Sequence, residues 1–342
     1  MLAAILLTLF FPLLAAFSPM VKCGNARKLN FLSKEYTDVL KGLCCIVVVY
    51  VHVKNGNPLQ DAIGSFAYVC VTLFFLFSSY GMLLSVEKKK EYLAHFWRNR
   101  LVALLVPLFF INLASFAAEY MKDEVFAPGL IYSLNGYVRV LLEFCLWFYI
   151  VESAKKKWFP RKNVLGDLLL IAGVVVSSLF LYLFVEAEFS AQNGWPFERI
   201  GLVWGILLYR YQDRLTGWMG KHRLLKTLML FIICGCLGVM YLKFKMVYFF
   251  GEYILKIVLG LALIIFLFVI TEKRFRGNRI SSWLGDVSYE VYLSHGIVMS
   301  LIVFSFPNMN SGLFIFLTIC VVLLFSTLVH LISKPIVKLL RT

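Results

Sequence analysis

Two ionisable residues, Lys41 and His52, lie in one long apolar segment, where titratable groups are scarce and often functional. Eleven positions separate them, so on a helix they lie within about 20° of the same face and roughly 16 Å apart. If the helix begins near residue 37 at the inner side of a membrane, His52 lies in its outer third. The structural alternatives are a satisfied packing His and a Lys that extends to the surface.

A second set of polar residues is spaced at intervals of about one helical turn. Arg139 and Glu143 are four residues apart, and Trp147 continues the same stripe. The two charges can neutralise each other within their own helix, so this spacing fits a structural ion pair or a substrate contact. Arg199 lies near the outer end of a later apolar segment and is a further buried charge to explain.

Hydroxyl groups and an imidazole share a face near the C-terminus. Ser288, Tyr292 and His295 are spaced at i, i+4 and i+7. This spacing predicts either hydrogen bonds between helices or the wall of a pocket.

The cysteines do not form a metal-binding pattern. Eight are present, and all but Cys23 lie in apolar segments. The pair Cys234 and Cys236 has no His or Cys partners at zinc-site spacing, so we expect packing thiols and no metal site.

The composition excludes an ordinary soluble domain. Of 342 residues, 61% are hydrophobic and 15% charged, and the mean hydropathy is +0.82. The net charge of +15 could suggest a nucleic-acid partner. The basic residues instead form short clusters between long apolar runs, which is typical of membrane orientation, and no nucleic-acid binding is expected.

Apolar runs of about 20 residues predict an all-α, polytopic transmembrane bundle. An extra hydrophobic segment at 2–20 is interpreted as an N-terminal helix, with a signal peptide as the alternative. We divide the chain into a helix and basic linker (1–34) and one membrane domain (35–342). Ten core spans are expected near 37–53, 63–86, 101–118, 132–151, 167–185, 194–209, 226–242, 247–271, 287–305 and 313–333.

Basic residues are concentrated in alternate loops. The loops 22–34, 88–100, 155–162, 210–226 and 273–279, with the tail from residue 334, contain 26 of the 34 Lys and Arg residues. The intervening hinges are short or acidic. The positive-inside rule therefore predicts a multi-pass cell-membrane protein with cytoplasmic basic loops and C-terminus, in contact with membrane lipid.

Several short motifs occur in a characteristic order. They are Asp38-Val-Leu-Lys41-Gly42 with His52, Phe74-Phe-Leu-Phe-Ser78-Ser79-Tyr-Gly81, Phe96-Trp-Arg98-Asn-Arg100, Leu146-Trp147-Phe148, Glu198-Arg199, and Val287-Ser288-Tyr289-Glu290-Val291-Tyr292-Leu293-Ser294-His295. Together they resemble the acyltransferase-3 family of integral-membrane O-acyltransferases over residues 35–333.

The resemblance implies transfer of an acyl group, usually acetyl from acetyl-CoA, to a hydroxyl of a carbohydrate such as a surface or lipid-linked glycan. Catalytic roles carry over to Lys41 and His52. Three residues depart from the family's pattern: Lys41 stands for the usual Arg, Ser79 for a Gly, and Ala103 for a second Arg. The lysine keeps the charge but not the bidentate fork.

This chemistry suits the residue types. A neutral imidazole can take the proton of a sugar hydroxyl and make it nucleophilic, which is the role expected of His52. Donor binding is assigned to Ser78, Arg98 and Arg100, because the phosphates of CoA favour Arg. Acyl-CoA is a substrate here, and no permanently bound cofactor is expected.

The remaining polar residues are assigned to a pocket near the reaction centre: Glu143, Trp147, Arg199, Tyr292 and His295. Self-association as a homodimer is left open. The alternative function is a polytopic transporter or flippase of glycan precursors, which usually has repeated halves that this sequence lacks. A structural membrane subunit would not require the aligned Lys41 and His52.

Overall fold

The computed structural model describes residues 27–52, 63–123, 126–158, 163–185, 194–273, 275–309 and 311–341. The N-terminal helix predicted at 2–20 lies outside these residues. Within them the chain is almost wholly helical, which confirms the all-α class. The one sheet found there is a two-residue antiparallel pairing of β1 (Arg27–Lys28) with β2 (Arg276–Gly277).

Eleven α-helices occur in the described residues, and ten of them coincide with the ten predicted segments. Short 3₁₀ and π turns at Pro128–Tyr132 and Phe250–Leu255 precede two of them. The helices are α1 (Lys34–His52), α2 (Tyr68–Lys88), α3 (Phe96–Asp123), α4 (Gly136–Trp158), α5 (Asn163–Phe184), α6 (Ile200–Gly220), α7 (Arg223–Phe244), α8 (Lys256–Thr271), α9 (Arg279–Asp286), α10 (Ser288–Ser305) and α11 (Ser311–Arg341).

The predicted count of ten membrane spans is not confirmed. Seven described regions are long and apolar enough to cross a membrane, which indicates a membrane protein. The pair α9 and α10, bent by 68°, would make an eighth span. Helices α1 and α6 fall short because every 18-residue stretch of each contains three or more charged residues.

The helices have two sets of ends, and the clusters of basic residues in the sequence adjoin one set. We call the basic end the one where α1, α3, α5 and α7 begin and α2, α4, α6, α8 and α11 end. There Arg223 Nη1 lies 3.1 Å from Glu272 Oε2, joining the start of α7 to the end of α8. At the opposite end, Tyr68 Oη donates a 2.8 Å hydrogen bond to Lys256 O and joins the starts of α2 and α8.

Small residues allow the core helices to approach closely. A Cβ at Gly205 of α6 would lie 2.0 Å from Ser79 Oγ and 2.2 Å from Leu76 O of α2. Ser79 Oγ also donates a 2.9 Å hydrogen bond to Leu202 O across the same interface. Gly205 of α6 thus provides the room for the side chain of Ser79, which stands where the family's pattern has a Gly.

Candidate functional site

A cavity of about 300 Å³ lies toward the basic end of the bundle, and we call it the Lys41 cavity. It contains Lys41, Ser78, Arg100 and Tyr292, four of the residues predicted from the sequence. Its remaining lining residues are Lys34, Asp38, Phe74, Met82, Leu104, Tyr137, Leu141, Cys145, Gly285, Asp286, Ser288 and Tyr289.

Close packing of α1 against α9 positions the charged part of this cavity. A Cβ at Gly285 would lie 2.4 Å from Asp38 O, and one at Gly42 would lie 2.9 Å from Gly285 N. Two backbones therefore touch directly at the bend between α9 and α10. This contact holds Asp38 and Lys41 beside Asp286, and Lys41 Nζ donates a 2.9 Å hydrogen bond to Asp38 Oδ1.

His52 and His295 form a pair at the other end of α1. Their ring centroids are 5.0 Å apart in an edge-to-face arrangement. His52 Nδ1 lies 2.7 Å from Val48 O, and His295 Nδ1 lies 2.6 Å from Tyr292 O. A carbonyl oxygen can only accept, so each Nδ1 donates and each Nε2 carries a lone pair when the ring is neutral.

Aromatic rings connect this histidine pair to the Lys41 cavity. The His295 ring lies 5.8 Å from Tyr292, and the Tyr292 ring lies 4.7 Å from Tyr137. Both tyrosines line the cavity. The two residues of the predicted catalytic stripe thus lie at the two ends of one region, Lys41 in the cavity wall and His52 beyond its tyrosines.

Arg100 lines both the Lys41 cavity and a larger cavity of about 460 Å³, which we call the Tyr92 cavity. Arg100 donates hydrogen bonds to Tyr92 Oη from Nη2 at 2.7 Å and from Nε at 3.2 Å. Burial raises the pKa of Tyr92, while Arg100 acts in the opposite direction. Lys89, Arg341 and Arg100 bring three positive charges to this cavity and Glu91 one negative charge, so it suits an anion.

Arg98, the other predicted donor-binding arginine, is exposed and does not line either of these two cavities. Its role therefore stays a prediction. Arg341 was not assigned to the site from the sequence, since it was counted only as part of a basic tail. It reaches the Tyr92 cavity because α11 ends beside α3, where Arg341 Nη2 donates a 3.0 Å hydrogen bond to Asn99 O.

Three predicted pocket residues lie elsewhere, in a separate cavity of about 220 Å³ that we call the Arg199 cavity. Glu143, Trp147 and Arg199 line it together with Ser177 and Gly173, among others. The sequence prediction had grouped them with Tyr292 and His295. Helix α4 separates the two groups, because its residues at 137, 141 and 145 face the Lys41 cavity while those at 140, 143, 144 and 147 face the Arg199 cavity.

Arg199 is the fixed element of this second cavity. Its side chain is only 4% exposed. It donates to Gly194 O at 2.6 and 3.0 Å, to Ser177 Oγ at 3.0 Å and to Glu143 Oε2 at 3.3 Å. The predicted pair of Arg139 and Glu143 is confirmed, with Nε and Oε1 3.9 Å apart.

Tyr137 was missed by sequence reasoning although it lines the Lys41 cavity and contacts Tyr292. Together with Leu141 and Cys145 it forms an i, i+4, i+8 face. Such a face has the same pattern as an ordinary packing surface. The sequence therefore carried no signal that distinguished this tyrosine from a core residue.

A family model described as an acyltransferase domain matches residues 34–331, most of the chain. Comparison with curated proteins and with solved structures finds no match.

Proposed function

The chain belongs to the acyltransferase-3 family, and from this premise we propose that it is an integral-membrane O-acyltransferase that moves acetyl from acetyl-CoA to a hydroxyl of a carbohydrate. The observation that carries the proposal is the arrangement of three neighbouring elements. They are a cationic cavity at the basic end, the Lys41 cavity next to it, and a pair of imidazoles beyond the aromatic wall.

The donor would enter from the basic end. The Tyr92 cavity has the charge to hold the phosphates of CoA, and Arg100 lines both this cavity and the Lys41 cavity. The pantetheine arm would then extend through the Lys41 cavity toward the tyrosines. Lys41 would supply positive charge beside the donor, and Ser78 a hydroxyl on the facing wall.

His52 would act as the general base. Its Nδ1 is held by Val48 O, so the lone pair on Nε2 is the one available to take the proton of the acceptor hydroxyl. The hydroxyl oxygen then forms a bond to the thioester carbonyl carbon, and the carbon–sulfur bond breaks. The proton returns from the imidazolium to the departing thiolate, giving an O-acetyl ester and CoA.

The proposed direction of transfer follows the charge distribution. The basic end would face the cytoplasm, where acetyl-CoA is made and where positive residues accumulate. His52 lies at the far end of α1 from Lys41, so the acceptor would approach from the outer side.

The test is incubation of the purified protein with radiolabelled acetyl-CoA and a panel of glycans, followed by measurement of label in the glycan and of free CoA. The proposal requires both products in equal amounts. A transporter or flippase of glycan precursors would release no CoA and leave the glycans unlabelled.

A further inference from the structure

The outer half of α4 carries charges where a membrane helix usually carries none. From Gly136 to Ile150 the exposed residues of α4 are Arg139, Glu143, Leu146 and Ile150, which form a single stripe. The Arg139 and Glu143 side chains are 48% and 51% exposed. On the facing helix α5 the exposed residues include Leu169, Val176 and Phe180, which are apolar and suited to lipid.

The depth of these charges corresponds to a lipid head group. Glu143 lies seven residues after the start of α4, roughly 10 Å from that helix end. In a bilayer this is close to the boundary between head groups and acyl chains. At this depth Arg139 and Glu143, whose Nε and Oε1 are 3.9 Å apart, can meet polar head groups while the apolar residues of the same stripe face hydrocarbon.

The Arg199 cavity opens beside this stripe, because Glu143 belongs to both. Trp147 spans the gap between the helices, with Nε1 donating to Leu169 O at 3.1 Å. A Cβ at Gly173 would lie 2.1 Å from that nitrogen, so the glycine makes room for the indole. The cavity is therefore a mainly apolar recess with Glu143, Ser177 and Arg199 as its polar groups, and it is bordered by α4, α5 and the start of α6.

The donor and acceptor groups in this recess favour a neutral polyol. Arg199 holds Glu143 Oε2, whereas Oε1 is 3.9 Å from Arg139 Nε, which is longer than a hydrogen bond. That oxygen can accept from a hydroxyl, and Arg199 and Glu143 together leave the lining with no net charge to attract an anionic head group. The volume of about 220 Å³ is below that of a pocket for a drug-sized ligand and suits about one ring.

We propose that the Arg199 cavity binds the sugar head of an acceptor that is itself embedded in the membrane by a hydrocarbon tail, entering sideways between α4 and α5. Helix α4 lies between this recess and Tyr137, and three ring contacts, Tyr137 to Tyr292, Tyr292 to His295 and His295 to His52, then lead to His52. The recess is therefore an anchoring subsite, and the hydroxyl that reacts belongs to another part of the acceptor. Its role as an acceptor site rests on the proposed acyl transfer.

The experiment uses the full chain in lipid nanodiscs and a dodecyl maltoside probe with a photoreactive diazirine in its alkyl chain. Crosslinked peptides are quantified by mass spectrometry. We expect labelling on α4 and α5 near Glu143 and Gly173, displaced by dodecyl maltoside but not by equal concentrations of maltose, dodecanol or dodecyl phosphate.

Glu143→Gln should lower this labelling roughly tenfold, because a neutral amide oxygen accepts a hydrogen bond more weakly than a carboxylate does. The matched control is Glu119→Gln at the same end of α3, which removes a carboxylate paired with Lys122 and should leave labelling unchanged. Trp147→Phe, a conservative change at a residue that lines the cavity, is the second variant if Glu143→Gln lowers the melting temperature, and it should lower the labelling a few-fold.

Labelling spread evenly over the apolar helices, displacement by dodecyl phosphate as effective as by dodecyl maltoside, or equal labelling of folded variants and control would overturn the inference. The measurement requires no acyl transfer. A labelled protein that transfers no acetyl would count against the proposed function alone, and an active protein without this label would count against the subsite alone.

Discussion

Helix α4 separates two cavities that differ in how their charges are held. In the Lys41 cavity, Lys41 donates a hydrogen bond to Asp38 on its own helix, and Arg100 donates one to the Tyr92 hydroxyl. In the Arg199 cavity, Arg199 is fixed by bonds to α4, α5 and the turn at Gly194. The first site keeps cations available for a ligand, whereas the second is rigid and offers a carboxylate. This difference suits a phosphorylated donor on one side and a hydroxylated acceptor on the other.

The largest effect is expected at the imidazole pair. His52→Ala and His52→Gln should each lower kcat by on the order of 10² to 10⁴, the usual range for a general base. His295→Gln should lower kcat less, because His295 then acts only by positioning His52. The kcat of each purified variant is measured at steady state with acetyl-CoA and acceptor. His222→Gln, at an exposed histidine, is the control. A larger loss at His295 than at His52 would exchange their roles.

A second test concerns the close packing of α1 against α9, which positions Lys41. Gly285→Ala places a Cβ within 2.4 Å of Asp38 O, which should destabilise the protein by about 1–3 kcal/mol through overpacking. Thermal unfolding in detergent should show a lower melting temperature and reduced donor affinity. Gly81→Ala is the control, since nothing lies within 4 Å of its added Cβ. Equal melting temperatures for the two variants would mean that α9 can move away from α1 without loss.

Donor binding should depend on Arg100 more than on Arg98. Arg100→Ala removes a cation that lines two cavities and should raise the KM for acetyl-CoA roughly tenfold, with kcat nearly unchanged. Added salt should shrink the difference from the wild type because it screens phosphate attraction. The KM for S-acetyl-pantetheine, which lacks the nucleotide phosphates, should rise much less. If Arg98→Ala raises the acetyl-CoA KM more, the phosphates lie on the exposed face of α3.

The smallest effect should separate the two sides of α4. Trp147→Phe keeps a ring in the Arg199 cavity but removes the hydrogen bond to Leu169 O. Because such a bond contributes about 1 kcal/mol, the KM for the acceptor should rise a few-fold. The KM for acetyl-CoA should stay constant, because Trp147 lines neither the Lys41 cavity nor the Tyr92 cavity. Initial rates with one substrate varied at a time distinguish these outcomes, and a parallel change in both constants would contradict the division.

The sequence by itself determined the helices and their order. Ten apolar segments became helices α1 to α8, α10 and α11, because a run of apolar residues is a local property. The pairing of Arg139 with Glu143 was also predictable, since residues four apart on a helix are neighbours. The motifs around Lys41, His52 and His295 were sufficient to indicate the family, and the match over residues 34–331 confirms it.

Only the tertiary structure decided which of these residues meet. His295 reaches His52, Arg341 reaches the Tyr92 cavity, and Glu143 and Arg199 lie on the other side of α4 from Tyr292. The physical reason is that membrane helices are apolar on most faces, so their periodicity does not show which face packs where. That choice depends on close contacts between distant segments, such as Gly285 against Asp38.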